Sequence, residues 1–391
     1  MLPLLTGIRV IDLTAIILGP FATQTLGDLG ADVIKIEPLD GDSMRAIPPI
    51  AEPGLSAVFA NHNRNKRSLA LDLKSEGGKE VLRRLIATAD VLVHNMRQEA
   101  IDRLGFGFEP AKALNPRLIY CAAIGFGRDG PYAGQPAYDD VIQAASGFAG
   151  LFQMRDGEPA FAPSIVADKI VGLYAVYAVL AALVHRERMG GAARYVEVPM
   201  FEAMTAFSLS EHLAEATFDP DGQLGYHRAL FKTRKPYRTR DGWMAVLPYT
   251  TAHWTRVIGE LGRNDIARAP WFLDVTERSR RTDELYALLA ETLTTRITDD
   301  WLGVFRRLDV PAARVNLPRD LPKDPHHKAV GLFEANFSAS TPVRRSLRLP
   351  LSVSGLAVEP DRPPPRLGAD ARDLLAELGF TADEVAALAK P

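Results

Sequence analysis

The chain has a single cysteine, Cys121, among its 391 residues. One cysteine can form neither an intrachain disulfide nor a cysteine-ligated metal cluster. Cys121 lies in the apolar segment RLIYCAAIGFG, which predicts a buried strand, so we assign this thiol to the core. The net charge is also small, at −2 at pH 7. That balance gives no overall attraction toward nucleic acid or a membrane surface, and neither is an expected partner.

Several catalytic and binding motifs are absent. The segment LTAIILGPFATQTLG carries no G-x-G-x-x-G pattern, which argues against a hydride-transferring NAD enzyme. The chain has no Walker loop, no H-E-x-x-H helix and no G-x-S-x-G nucleophile elbow. Its eight histidines show no metal-ligand spacing, so no metal site is predicted.

The apolar run at 170–184 is shorter than the roughly 20 residues that a helix needs to span a bilayer. Charged residues flank it, Lys169 before and Arg186 after, as in a core helix. The N-terminal segment MLPLLTGIRVIDL lacks a basic leader followed by a long apolar stretch. We therefore expect a cytoplasmic protein in which this run forms a core helix.

The first half of the chain alternates predicted strands and helices. This spacing is typical of βαβ units, and it predicts an α/β fold with a parallel sheet and helices on both faces. The strand-like segments are 7–14, 31–38, 68–74, 90–95, 117–127 and 194–200.

After about residue 220 the pattern changes. The segment PYRTRDGWMAVLP predicts a hairpin with Asp241-Gly242 at its turn, and helical periodicity follows it. The tail contains two strand-like pieces, 333–338 and 347–355, and then two short helices. We place domain boundaries so that 1–215 and 326–391 form a large domain and 216–325 forms a smaller inserted one.

Asp168 is the most informative single residue, because it opens the buried apolar segment VADKIVGLYAVYAVLAALV. Aspartate is a preferred helix cap, so one interpretation is that Asp168 only caps the helix. The other is catalytic. The start of a helix carries partial positive charge, which favours an anionic carboxylate, and a partly desolvated carboxylate is a usable nucleophile.

Basic residues gather near the predicted strand ends of the first domain. Most such charges are solvated surface. As a set at the carboxyl ends of strands they are also suited to a polyanion, since Arg and Lys bind phosphates. The set is Arg45, Lys66, Arg67, Lys74, Arg97 and Arg103.

Several long segments, in the same order along nearly the whole chain, resemble the class III coenzyme A transferases. This family includes carnitine CoA-transferase, formyl-CoA transferase and bile-acid-inducible CoA-transferases. The matching segments are VIDLTAIILGPFATQTLGDLGADVIKIEP, NHNRNKRSLALDLKSEGGKEVLRRLIATADVLVHN, IDRLGFGFEPAKALNPRLIYCAAIGFGRDGPY, AYDDVIQAASG, VADKIVGLYAVYAVLAALVHRE and PPPRLGADARDLLAELGFTADEVAAL. The resemblance is weakest between about 215 and 330.

The resemblance implies a Rossmann-like large domain with a parallel sheet, built from both chain ends, and a smaller inserted α/β domain. It also implies an interlocked homodimer, acyl-CoA and a carboxylic acid as substrates, and no permanently bound cofactor. Asp168 matches the family's catalytic aspartate. The positions that match CoA contacts are Ile17, Leu71, Asp72, Lys74, Asn95, Met96, Arg97 and Arg103. Pro38 replaces an arginine of relatives, and Arg45 is the candidate to compensate.

The family also contains α-methylacyl-CoA racemases, which need an acid/base group on each face of the α-carbon. Relatives of that branch have a His-Asp pair where this chain has Tyr138-Asp139. Tyrosine, with its high ordinary pKa, is a poor base at neutral pH. A CoA-transferase is therefore the preferred hypothesis, with a racemase and a non-catalytic CoA-binding protein as alternatives.

The acceptor acid is a separate question. The glycine-rich loop of formyl-CoA transferases is missing from 225–260, which argues against a formyl or oxalate substrate. The basic segment YHRALFKTRKPYRTR stands in its place. It is either a solvated loop or the holder of a dicarboxylate's distal carboxylate. Arg234 and Arg238 are its candidate contacts, and Tyr138 and Asp140 are further candidates for substrate binding.

Overall fold

The computed structural model describes residues 1–333, 337 and 341–389. In these residues the strands are β1 (Arg9–Leu13), β2 (Asp32–Glu37), β3 (Ile50–Glu52), β4 (Leu55–Ser56), β5 (Lys66–Ala70), β6 (Val91–His94), β7 (Ile119–Ile124), β8 (Arg194–Pro199), β9 (Tyr237–Arg238), β10 (Trp243–Val246) and β11 (Ala312–Arg314). The α-helices are α1 (Leu18–Asp28), α2 (Ala57–His62), α3 (Glu76–Thr88), α4 (Gln98–Leu104), α5 (Phe108–Leu114), α6 (Asp139–Ala145), α7 (Phe148–Asp156), α8 (Val166–Met189), α9 (Met200–His212), α10 (His227–Leu230), α11 (Thr251–Glu260), α12 (Asn264–Ala267), α13 (Pro270–Leu273), α14 (Val275–Arg280), α15 (Thr282–Thr292), α16 (Thr298–Arg307), α17 (Pro325–Ala329), α18 (Ala371–Glu377) and α19 (Ala382–Leu388).

The chain divides into two compact units. The first contains Met1–Ala149, Phe161–Ser208 and His326–Pro391, and the second contains Gly150–Ala160 and Leu209–Pro325. The domain boundaries drawn from the sequence stay a prediction.

A six-stranded sheet forms the centre of the first unit, in the order β5-β2-β1-β6-β7-β8. Every neighbouring pair in it is parallel, which confirms the α/β prediction. Alternate strand residues point to opposite faces. Val10 and Val91 pack in one buried cluster with α1 and α8. Ile11 and Leu92 pack in another cluster with α3, α5 and α18.

The strand order has a functional consequence. From β1 the chain continues to β2 on one side, and it later returns to β6 on the other side of β1. Open α/β sheets bind ligands at the carboxyl edge where the order reverses in this way. The loops after β1 and β6 are therefore the place to look for a site.

Some local predictions need correction. Strand β5 ends at Ala70, and not at residue 74 as predicted. The chain turns there because Asp72 accepts a hydrogen bond from the backbone N–H of Lys74, at 2.9 Å, and the hydroxyl of Ser75 then caps α3. Residues 347–355 form no strand. The predicted strand at 333–338 lies mostly outside the described residues.

Other local predictions are confirmed. Cys121 is fully buried in β7, and burial raises the pKa of its thiol to about 12. Strands β9 and β10 pair antiparallel across the Asp241-Gly242 turn. The two tail helices are α18 and α19.

Helix α8 has 24 residues, more than the apolar run from which it was predicted. It is the one described helix that is long and apolar enough to cross a membrane, judged by length and composition alone. That judgement is weak support for a membrane, because the core helices of globular proteins meet the same criteria. Here α8 packs against α1, β7 and β8.

The second unit has its own core. Strands β11, β10 and β9 form a small antiparallel sheet in that order. Trp254, Tyr286 and Trp301 are buried together beneath it, with side chains from α11, α15 and α16.

Candidate active site

A cavity of about 550 Å³ opens at the carboxyl ends of β1, β6 and β7 in the first unit. Its volume is in the usual range for small-molecule sites, and its position is the reversal point of the strand order. Three strand-end loops line it, Ala15 to Leu18, Asn95 to Glu99 and Ala123 to Phe126. The segment from Ala133 to Tyr138, with Arg128, Asp168 and Met200, completes the wall.

The loop between β1 and α1 is held in an unusual conformation. Ile16 has a φ of 74°, a region that β-branched residues rarely adopt. Its backbone N–H faces both carboxylate oxygens of Asp42, at 3.3 Å. The amide of Asn95 bonds both the N–H and the C=O of Ala15, at 3.0 and 2.8 Å. These contacts fix the loop that carries Ile17 into the cavity.

Buried charged side chains also hold the same loop in place. The ammonium of Lys35 donates to the carbonyl of Thr14 at 2.8 Å and to Asp42 at 3.1 Å. Next to it, the ammonium of Lys66 lies 3.0 Å from a carboxylate oxygen of Asp12. None of these charged side chains is more than marginally exposed. Buried ions are stable only when they are paired and hydrogen-bonded. Each of these charged side chains therefore depends on its partner being present.

The pKa values of Asp12 and Lys66 reflect both the burial of the two side chains and their mutual attraction. Burial raises the pKa of Asp12, but attraction to Lys66 and Lys35 and hydrogen bonds from two threonines outweigh burial, and the value is about 2. Burial lowers the pKa of Lys66 to about 8, against the attraction of Asp12. Both side chains are charged at neutral pH as a result.

Asp168 is the third residue of α8 and lines the cavity. The helix begins after Ile165, which is the N-cap residue and makes no side-chain cap hydrogen bond. Asp168 therefore lies in the first turn of α8 and does not occupy the N-cap position, and its catalytic role stays a prediction. The residue is only 7% exposed, so it lies at the cavity wall and is largely removed from water.

A glycine one turn later allows α8 to pack closely against α1. A Cβ atom at Gly172 would lie 2.9 Å from the ring of Phe21 and 3.0 Å from the carbonyl oxygen of Leu18. Any larger residue would force α8 away from α1. Gly172 therefore allows the close packing of α8 against α1, and Asp168 and Ile17 line the same cavity.

A second carboxylate adjoins Asp168. Asp139 is buried, and it accepts the backbone N–H of Asp168 at 3.0 Å. Its other oxygen accepts the side-chain amide of Gln143, and Gln143 in turn accepts the N–H of Ala162 at 2.9 Å. This chain of hydrogen bonds ties the start of α6 to the start of α8.

The neighbouring carboxylate also changes the chemistry of Asp168. Burial, and secondly the negative charge of Asp139, raise the pKa of Asp168 to about 7. Both effects disfavour the ionised form. A strongly perturbed carboxyl group in a cavity is a typical property of catalytic sites.

The structure brings some of the predicted CoA contacts together and leaves others apart. Ile17, Asn95, Met96 and Arg97 line the cavity. Leu71 is buried in the sheet core. The remaining predicted contacts are exposed and are not part of the cavity lining, namely Asp72, Lys74 and Arg103.

Arg45 has a structural partner. Its guanidinium donates to both oxygens of Glu37 at 2.7 Å, lies over the ring of Phe59 and is almost fully buried. Lys66 and Arg67 are likewise held by carboxylates. We therefore do not assign Arg45 to a CoA phosphate, because such a contact would break its bonds to Glu37.

The predicted acceptor contacts have different surroundings. Tyr138 lines the cavity, whereas Asp140 is exposed on α6. Arg234 and Arg238 belong to the second unit, where Arg234 donates to the carbonyl of Arg228 at 3.2 Å. Their role in acceptor binding stays a prediction.

Sequence reasoning missed two residues of the site. Asp139 was considered only as the partner of Tyr138, and Arg128 was not considered at all. The signal for Arg128 was its place in GFGRDGPY, directly after a predicted strand. No described group of three or more His, Cys, Asp or Glu side chains is arranged to hold a metal ion.

Comparison with known proteins identifies the family. The sequence profile of CoA-transferase family III matches residues 5–371. The chain belongs to CoA-transferase family III. It is 33% identical to the succinate–glutarate CoA-transferase of Agrobacterium fabrum over 96% of each chain. It is 30% identical to the formyl-CoA:oxalate CoA-transferase of Escherichia coli O157:H7 over 98% of each chain.

A solved structure agrees with this assignment. A CAIB/BAIF family protein from Brucella suis superposes with a TM-score of 0.81 and 32% identity, covering 97% of this chain and all of the other. The protein is accordingly an enzyme of the transferase class that moves CoA between an acyl-CoA and a carboxylic acid.

Proposed function

We propose that this CoA-transferase works through covalent catalysis by Asp168. A carboxylate oxygen attacks the thioester carbonyl of the donor, the C–S bond breaks, and CoA leaves as a thiolate. The thiolate then attacks the aspartyl carbonyl of the mixed anhydride, and the donor acid leaves as a carboxylate. The resulting aspartyl-CoA thioester reacts with the acceptor acid by the same two steps in reverse.

The observation that carries this proposal is the environment of Asp168. Its carboxylate is largely desolvated in a ligand-sized cavity, and Asp139 holds its backbone. A pKa of about 7 makes the carboxylate more basic, hence more nucleophilic, while leaving much of it ionised at neutral pH. This value also reduces the difference between the pKa of Asp168 and that of the leaving group's thiol, which is about 8.5 for a cysteine-like thiol.

The same cavity suits a dicarboxylic acid as the acceptor. One similar enzyme is a succinate–glutarate CoA-transferase, and both of those acids carry a second carboxylate. Arg97 and Arg128 line the cavity together with Asp168, so the cavity holds cationic groups, at least one of which is available to a distal carboxylate. We infer that C4 to C6 dicarboxylates are preferred over monocarboxylates of equal length.

Turnover assays separate the proposal from the racemase alternative. The enzyme is mixed in deuterated water with succinyl-CoA, with and without glutarate, and in a separate reaction with a 2-methylacyl-CoA. A transferase forms glutaryl-CoA only when glutarate is present. A racemase would incorporate deuterium at the α-carbon of a 2-methylacyl-CoA without any acceptor, and a CoA-binding protein would show neither reaction.

The activity of the enzyme should depend on pH through Asp168. Only the ionised carboxylate attacks, so kcat/KM should rise about tenfold per pH unit below pH 7 and level off above it. Asp139→Asn removes the second negative charge and should move the midpoint to lower pH, while burial keeps it above the ordinary carboxyl value. A pH–rate profile from pH 5 to 9 measures both midpoints.

Asp140→Asn is the matched control, because Asp140 is the exposed neighbour of Asp139. Its midpoint should equal that of the wild-type enzyme. An unchanged midpoint in a folded Asp139→Asn protein would show that Asp139 does not set the ionisation of Asp168.

We also propose that the enzyme is a homodimer. Leu173, Tyr177 and Val184 are at least half exposed, and their spacing places them on one face of α8. Monomeric proteins rarely expose a contiguous apolar surface of this kind. The exposed face of α8 therefore supports an interface with a second copy of the chain, and the interlocked arrangement is the form that the family resemblance predicts.

Replacing Tyr177 with Glu should weaken the dimer, since it places a charge in the apolar stripe. Mass photometry at nanomolar concentration should show dimers for the wild-type protein and a rise in monomer for the variant. His185→Glu introduces the same charge on an exposed position away from the stripe and should leave the dimer intact. A monomeric, active wild-type protein would contradict the proposal.

A further inference from the structure

Arg128 lies in the turn after β7 and is one of the residues that line the cavity of Asp168. Its backbone N–H donates to Glu197 at 3.1 Å. The preceding N–H, of Gly127, donates to Glu202 at 2.9 Å. Two carboxylates from the β8–α9 region thus fix the backbone of this turn. The position of Arg128 at the cavity is therefore built into the fold.

The side chain of Arg128 is held on one edge and open on the other. Its guanidinium lies 4.7 Å from the centre of the Tyr195 ring, and its Nε lies 3.4 Å from a carboxylate oxygen of Glu197. Within the described part of the chain, no acceptor engages the two terminal nitrogens. The side chain is 56% exposed, so these nitrogens are accessible to a ligand. A planar pair of N–H donors matches the two oxygens of a carboxylate.

The charges around the two cavity arginines differ. Glu197 partly neutralises Arg128, and a multiply charged phosphate would be repelled by that carboxylate. A single carboxylate would be repelled less. Arg97 has no acidic partner among the described residues, which suits a phosphate. The two arginines are therefore suited to different anions at the same cavity.

Resting on the proposed function, we propose that Arg128 binds the distal carboxylate of a dicarboxylic acid while the reacting carboxylate meets Asp168. The apolar side chains of Ile17, Phe126 and Met200 line the same cavity and suit the methylene chain between the two carboxylates. This assignment places the specificity for dicarboxylates in the first unit, on the turn after β7.

The test compares glutarate with pentanoate, which have equal chain length, as acceptors from succinyl-CoA. In the wild-type enzyme kcat/KM should favour glutarate. Arg128→Met should lower the glutarate-to-pentanoate ratio by about 10- to 100-fold, the effect of losing a hydrogen bond to a charged group, and Arg128→Lys should restore part of it. Because both arms share one donor, damage to the donor step cancels in the ratio.

Arg117→Met is the matched control. Arg117 has almost the same side-chain exposure as Arg128 and a similar single ion pair, to Glu187 at 3.5 Å, but it does not line the cavity. Its ratio should equal that of the wild-type enzyme. An unchanged glutarate-to-pentanoate ratio in Arg128→Met would overturn the assignment. If the ratio is unchanged because both acceptors lose activity equally, the result would indicate that Arg128 contacts CoA.

A binding measurement keeps the proposal testable without turnover. In an Asp168→Asn background, Arg128→Met should weaken the binding of glutaryl-CoA at least about tenfold more than that of pentanoyl-CoA. Equal weakening would overturn the proposal. Absence of exchange by the wild-type enzyme with every acid tested would instead overturn the proposed function, while this binding difference would still decide the role of Arg128.

Discussion

Asp168→Asn should abolish CoA transfer, with a loss of about 10³-fold or more in kcat, because an amide cannot form the anhydride or the aspartyl thioester. Incubating the wild-type enzyme with succinyl-CoA and then hydroxylamine should convert Asp168 into a hydroxamate. Peptide mass spectrometry would locate the modification. The variant should show no modified peptide, although it retains the cavity and should still bind acyl-CoA.

The stability of the variant provides an internal control. The pKa of Asp168 in the folded protein is about 7, above the ordinary carboxyl value. The stability that the protonated group contributes is complete below that ordinary value and is lost as the pH rises through 7. Asp168→Asn should therefore have a Tm at pH 8 no lower than that of the wild-type protein. Full transfer activity in this variant would rule out Asp168 as the nucleophile.

Lys66→Met should destabilise the fold by about 3–5 kcal/mol, the range for removing one partner of a buried ion pair. The ammonium of Lys66 donates to Asp12, to the carbonyl of Pro20 and to Asn63, all within 3.0 Å. Methionine fills a similar volume but leaves these acceptors without their donor. Urea unfolding at pH 7 measures the loss.

Two further proteins test the cause of that loss. Lys74→Met removes an exposed lysine and should change the free energy of unfolding by no more than about 0.5 kcal/mol. Adding Asp12→Asn to Lys66→Met should recover part of the stability, because it removes the stranded charge and keeps an acceptor for the threonines. If Lys66→Met costs less than about 1 kcal/mol, the pair does not hold the site loop.

Much of the first unit could be predicted from local patterns. The parallel strands are apolar runs separated by helical segments, and such patterns depend only on neighbouring residues. The error at β5 has a local cause as well, since Leu71 and Leu73 continue the apolar alternation past Ala70, where the strand ends. The absence of a strand at 347–355 depends on tertiary pairing, which alternation alone does not reveal.

The site was less accessible to sequence reasoning. Asp168 was found because its helix is long and because the family resemblance covers it. Its link to Asp139 joins positions 29 residues apart, and no sequence pattern states that contact. The sequence shows the charge of Arg45 but does not show that Glu37 is its buried partner. Arg128 follows the third strand-end loop, and the sequence does not show that this turn lies at the same cavity as Asp168.

The first unit is built from three separate segments of the chain, and this arrangement determines when the unit can fold during synthesis. The backbone N–H of Ser68 in β5 donates to Asp370, 302 positions later in the chain, and Leu374 and Leu375 of α18 complete the core on that face of the sheet. During synthesis, that face of β5 and β2 stays uncovered until the second unit has been translated. Contacts so distant in sequence slow folding and prolong the exposure of apolar surface. The nascent chain should therefore depend on chaperones until α18 leaves the ribosome. The second unit, Gly150–Ala160 and Leu209–Pro325, is complete earlier and can pack around its own tryptophans before that point.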